Sequence, residues 1–93
     1  MNEVVNYDSA AVIGTTPTEN IFGASKADLE FNMIRVNNET DKDITLSFGY
    51  GAGNNFIAKS GDNILQAFSC TGKCALSAAS DSTGNLFIQL TKG

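Results

Sequence analysis

Cys70 and Cys74, in the segment SCTGKC, are the side chains with the most chemistry in this sequence. If Thr71-Gly72-Lys73 is the turn of a hairpin, the two thiols face each other across its strands. They then either close a short disulfide loop or sit as two packed free thiols, and a closed loop that short gains little entropy. As a nucleophile either cysteine would need a base or cation beside it, and only Lys73 is near in sequence. The chain has no histidine. That leaves no Ser-His-Asp or Cys-His arrangement, and two thiolates fall short of the four ligands of a structural zinc site. Glu39, Asp41 and Asp43 alternate, so an extended backbone would turn three carboxylates one way, as Ca²⁺ requires. The glycine and closing glutamate of a calcium loop are absent, however, and a solvated acidic turn explains them more simply. Asp81 and Asn85 fit Asx-turn chemistry in the same way. In GYGAGNNF, glycines follow a strand pattern without leading into a helix, which is turn composition and not a phosphate cradle. Tyr50, Asn54, Asn55 and Phe56 of that loop form the candidate ligand or interface surface, and Tyr7 is a further aromatic that could stack. No cofactor and no metal is expected.

The elements that would position these groups read as strands. Ile44, Leu46, Phe48 and Tyr50 alternate strictly with Thr45, Ser47 and Gly49, the clearest period-two signal in the chain. Leu29, Phe31 and Met33 share one phase while Ile34 and Val36 take the other. This slip predicts a bulge near Met33–Ile34 or a strand covered on both faces. With Asn37 to Asp43 as a polar turn, Leu29 to Tyr50 predicts a central β-hairpin. Ile64–Cys70 and Cys74–Ala79 predict a second hairpin, and Leu86, Ile88 and Leu90 a last strand. Ala10–Gly14, Asn20–Gly23 and Phe56–Ala58 are shorter candidates. Ala24–Asp28 reads as a turn or single helical turn capped by Ser25. Nothing has helical period over any length. The expectation is an all-β fold, a small antiparallel β-sandwich (immunoglobulin-like or jelly-roll) of six to eight short strands. Residues 10–93 form its single domain. Residues 1–9 read as an N-terminal arm whose anchors are Val4, Val5 and Tyr7, of the kind that orders against a neighbour.

Ninety-three residues can bury one core, with little stability to spare. Only 17% of residues are charged, against 42% hydrophobic. Much of the surface must therefore be Ser, Thr, Asn, Gly and Ala, which suits protein contacts. A net charge of −4 with six scattered Lys and Arg argues against nucleic-acid partners. The longest apolar runs are far below the ~20 residues of a membrane span. The opening MNEVVNYDSA has neither the cationic start nor the apolar stretch of a secretory signal, so synthesis in the cytoplasm with reduced thiols is expected.

The order of segments GTTPT-ENIFGA, LEFNMIRVNNET, DITLSFG, GDNILQAF and GNLFIQLT resembles small virion proteins of tailed bacteriophages. There a Thr/Pro opening leads to an apolar strand ending I-R-V-x-N-x-T, a D-I-T-L-S strand, a G-D-x-L hairpin and a final strand. The resemblance runs from Gly14 onward and does not include the Cys70–Cys74 segment. It implies a β-sandwich that assembles on the virion, after synthesis in the host cytoplasm, as a head decoration, neck or tail component. Its partners would be itself, as a homo-oligomer, and a major capsid or neck protein. No site residue transfers, because such proteins act through surfaces. The expected function is therefore a non-enzymatic capsid decoration (cement) or head–tail accessory subunit. The alternative is a carbohydrate- or receptor-binding sandwich of a phage tail or adhesin, using the Tyr50–Phe56 loop.

Overall fold

The computed structural model describes residues 3–9, 13–15, 21–49 and 55–92. Seven strands follow in order: β1 (Glu3–Ser9), β2 (Glu30–Thr40), β3 (Ile44–Phe48), β4 (Asn55–Ala58), β5 (Asn63–Thr71), β6 (Cys74–Ala78) and β7 (Gly84–Lys92). They form two antiparallel sheets, a four-stranded one ordered β1-β7-β2-β5 and a three-stranded one ordered β4-β3-β6. The small β-sandwich is the expected class. An immunoglobulin-like domain groups its first, second, fourth and fifth strands. Here the last strand lies between the first and second instead. β2–β3, β4–β5, β5–β6 and β6–β7 each pass from one sheet to the other, which is jelly-roll order. Beside β6, the backbone of Ile13, Gly14 and Ile21 occupies the place of an eighth strand. Ala78 N–H donates to the Gly14 carbonyl (2.9 Å), Ser82 N–H to that of Ile13 (2.9 Å), and Ile21 N–H to that of Cys74 (3.1 Å).

Two expected hairpins are thereby corrected. Leu29 to Tyr50 does not fold back on itself, because β2 and β3 belong to different sheets. Asn38 sets that corner. It is fully buried, at the inward position after Ile34 and Val36. Its side-chain amide donates to the carbonyls of Ala58 (2.8 Å) and Lys42 (3.0 Å). Its Oδ1 accepts from the N–H (3.0 Å) and hydroxyl (2.6 Å) of Thr40. Its own N–H and carbonyl bond to Asp62 and Gly61 of the β4–β5 turn. All four side-chain bonds are satisfied, which a buried amide requires. The second expected hairpin fails in the same way, since β5 and β6 also lie in different sheets. The chain crosses between them through Gly72 and Lys73. A Cβ on Gly72 would stand 2.0 Å from the Lys26 carbonyl oxygen, so only glycine passes beneath the 3₁₀ turn Ala24–Lys26. That turn has Gly23 at its N-cap, not Ser25, and no side chain caps it. Ile21 and Phe22 form a turn packed on the core and not a strand.

The core is read off the alternation. From the four-stranded sheet come Val5, Leu86, Ile88, Leu90, Ile34 and Val36, and from the other Ile44, Leu46, Phe48, Ala58 and Leu76, all buried. The phase slip in β2 is a true irregularity. Phe31 pairs with Cys70 and Met33 with Ala67, so two steps along β2 match three along β5. β5 therefore carries the extra residue, and Phe68, in phase with Ile64 and Cys70, packs between the sheets. The Phe68 ring lies 5.5 Å from that of Phe48 and 5.3 Å from that of Phe56, tilted and edge-on, as aromatic quadrupoles favour.

The expected arm is also revised. Residues Glu3–Ser9 pair along their whole length with β7 of their own chain, from Glu3↔Lys92 to Ser9↔Leu86. Val5 is buried, and Tyr7 packs on the core with its ring 6.5 Å from Phe22. Val4 faces outward, 49% exposed. Two inward residues in three explain why the segment joins its own sheet: together they complete the Leu90 and Ile88 rows.

Candidate interaction surface

Cys70 closes the inner face of β5 and Cys74 opens β6; both are free and buried. Burial pushes the Cys70 thiol up to about 12. Burial, and then the neighbouring Cys70, push Cys74 up further. Thiolate is the nucleophile, so burial withholds reactivity from both. The three alternating acids do not converge. Glu39 is exposed on β2. Asp41 Oδ1 accepts the Thr83 N–H at 2.8 Å, and Asp43 Oδ1 that of Ser60 at 3.0 Å. The Thr83 N–H, and then Lys42 at 3.2 Å, hold the Asp41 carboxyl below its ordinary range. Asp62 likewise caps the Lys59 N–H at 2.9 Å. Asp41 thus fastens the segment before β7, while Asp43 and Asp62 both fasten the β4–β5 turn, and among the described residues no group of three His, Cys, Asp or Glu could hold a metal ion.

Tyr50 and Asn54 lie outside the described residues. Asn55 is exposed at the start of β4, opposite Ser47. Phe56 is buried against Phe68, so its ring is withdrawn from any surface ligand. Of the expected loop surface, the described residues thus offer Asn55 but not the Phe56 ring.

A different surface emerges from the sheet edges. A free edge presents unpaired N–H and C=O groups and is normally shortened, charged or covered. β6 is covered by the Ile13–Gly14 backbone and Ile21. β4 is four residues long. β1 includes Glu3 and Asp8. β5 has none of these protections. It is nine residues long, NILQAFSCT, without charge, and pairs among the described residues only with β2. At its middle Leu65 is 66% exposed, the most exposed large apolar side chain described. On the outer sheet face two rows run inward from this edge: Leu65–Arg35–Gln89–Asn6 and Ala67–Met33–Thr91–Val4. An open depression of about 570 Å³ is lined by Asn32, Met33, Ala67, Phe68 and Ser69. A second, of about 510 Å³, continues from Asn32 and Ser69 toward Glu30 and Lys92.

Sequence reasoning passed over Leu65 because Ile64, beside it, fits a strand equally well. The absence of charge from β5 was no signal either, since Ile44–Ala58 is a longer run without charge. No protein-family model, curated protein or solved structure matches this chain. No helix among the described residues is long and apolar enough to cross a membrane.

Proposed function

We propose that this protein is a non-enzymatic structural subunit that works by burying surface against other subunits. In the reading the segment order supports, it is a virion component of the capsid-decoration or head–tail accessory kind. Its partners are further copies of itself and a major capsid or neck protein, with no nucleic acid or membrane involved. The observation that carries the reading is the unprotected β5 edge with its exposed Leu65. A nine-residue neutral edge is a hazard to a protein that stays alone and an asset to one that assembles. The jelly-roll order agrees with it by analogy, being shared by viral capsid domains and by lectins. The carbohydrate-binding alternative has lost Phe56 to the core.

The test is mass spectrometry of particles purified from the source that carries the gene. The reading predicts the chain in those particles at a copy number in fixed ratio to the coat protein. Absence from particles, with binding on a glycan array that Tyr50→Ala abolishes, would overturn it in favour of the sugar-binding module.

A further inference from the structure

We infer that β5 pairs antiparallel with β5 of a second copy about a two-fold axis passing Leu65, joining two four-stranded sheets into one. This inference deepens the assembly reading and rests on it. Three observations select a second copy over an unrelated strand. First, the edge is neutral. Two chains each carrying −4 approach most easily where neither presents charge, and Asn63–Thr71 contains none. Second, an added foreign strand would expose its own outer edge, whereas two β5 edges close each other. The joined sheet then ends on its two β1 strands, which include Glu3 and Asp8. Third, the bulge fixes the register. β5 is regular against β2 from Asn63 to Ala67 and shifts beyond it. The regular stretch of five residues is centred on Leu65. Self-pairing there sets Leu65 against Leu65, with Asn63 against Ala67 on both sides, the reciprocal pattern of an isologous contact. Past Ala67, this register brings the partner's β4–β5 turn, whose residues Ser60 and Gly61 are exposed, alongside Ser69 and Cys70.

The area sets the strength. Five paired residues span about 17 Å at ~3.4 Å each. A strip of that length and one or two strand spacings wide falls well under the ~800 Å² per partner of a standard interface. The isolated pair is thus a reversible, concentration-dependent dimer that becomes durable when other contacts hold the copies together.

The full chain is followed by sedimentation velocity over a concentration series reaching about 1 mM, alongside two kinds of variant. The expected result is a monomer–dimer equilibrium that stops at two. Leu65→Lys should move its midpoint at least ~tenfold higher while the thermal midpoint stays put. Under mild oxidation Leu65→Cys should give a covalent dimer and Ala67→Cys should not, the native thiols being buried. A chain that stays monomeric with no Leu65→Cys cross-link overturns the inference, as does a dimer indifferent to Leu65→Lys. A monomer still found in particles overturns this pairing and leaves the assembly reading. A Leu65-dependent dimer absent from particles does the reverse.

Discussion

Asn38 is the residue on which the two sheets are fastened at one end. Replacing it with alanine leaves the Ala58 carbonyl and the Thr40 N–H without their partner in a buried place. At ~1–3 kcal/mol for each stranded group, about 3 kcal/mol of stability should go, read as a lower urea midpoint with an unchanged slope. Asn38→Asp should fare no better, because a carboxylate cannot donate to the carbonyls of Ala58 and Lys42. The sequence presents Asn38 as one of two turn asparagines. Its parity with Ile34 and Val36 was visible, but an asparagine at a core position reads as the end of a strand unless its partners are known. The cysteines carry a pH prediction. Their folded-state values lie above the ordinary thiol value of 9.0, so they stabilise the fold below that value. As pH rises from about 9 toward 12 the unfolded chain loses protons that the folded one retains, and this stability is lost. The urea midpoint of the native chain should therefore fall more between pH 8 and 10.5 than that of a Cys70→Ala/Cys74→Ala variant, about tenfold in equilibrium constant per thiol and pH unit at the most. Equal falls would refute the assignment.

Strands were legible where one face alone is buried. β3 and β7 alternate strictly, and the sequence places both within two residues of their observed ends. The connections were not legible, for a physical reason. In a sandwich both sheets face one core, so a strand keeps its inward phase whether the turn before it returns to the same sheet or crosses to the other. Neither Asn37–Asp43 nor Thr71–Lys73 could disclose the crossing; it is set by Asn38 and by the clearance at Gly72. Gly72→Ala should accordingly destabilise by at least ~2 kcal/mol, since backbone and not a flexible side chain stands in the way. The slip in β2 did announce an irregularity, though the extra residue belongs to β5. Two neighbours on that strand offer a contrast. Phe68→Ala should cost about 3 kcal/mol through the lost contacts with Phe48 and Phe56, while Leu65→Ala should stay within ~0.5 kcal/mol in dilute solution. Thermal melts of the two variants, taken side by side, check both.

At the scale of the molecule, a jelly-roll sandwich guards three of its four sheet edges and, among the described residues, leaves one open. β6 is covered, β4 is short and β1 is charged. An arm expected to reach a neighbour instead closes its own sheet, and the surface free to meet a neighbour lies at the opposite edge, on β5. Composition alone suggested an assembly subunit, because a chain with so few charges must present a polar neutral surface. Which part of that surface is an open sheet edge depends on strand order, which no single sequence displays. Amide hydrogen exchange measured at low and high protein concentration tests the central claim most directly. Exchange over residues 63–67 should slow as concentration rises, with β7 and β2 unchanged, and Leu65→Lys should abolish the effect. Exchange there that is indifferent to concentration, or protection that grows along β1 instead, would contradict it.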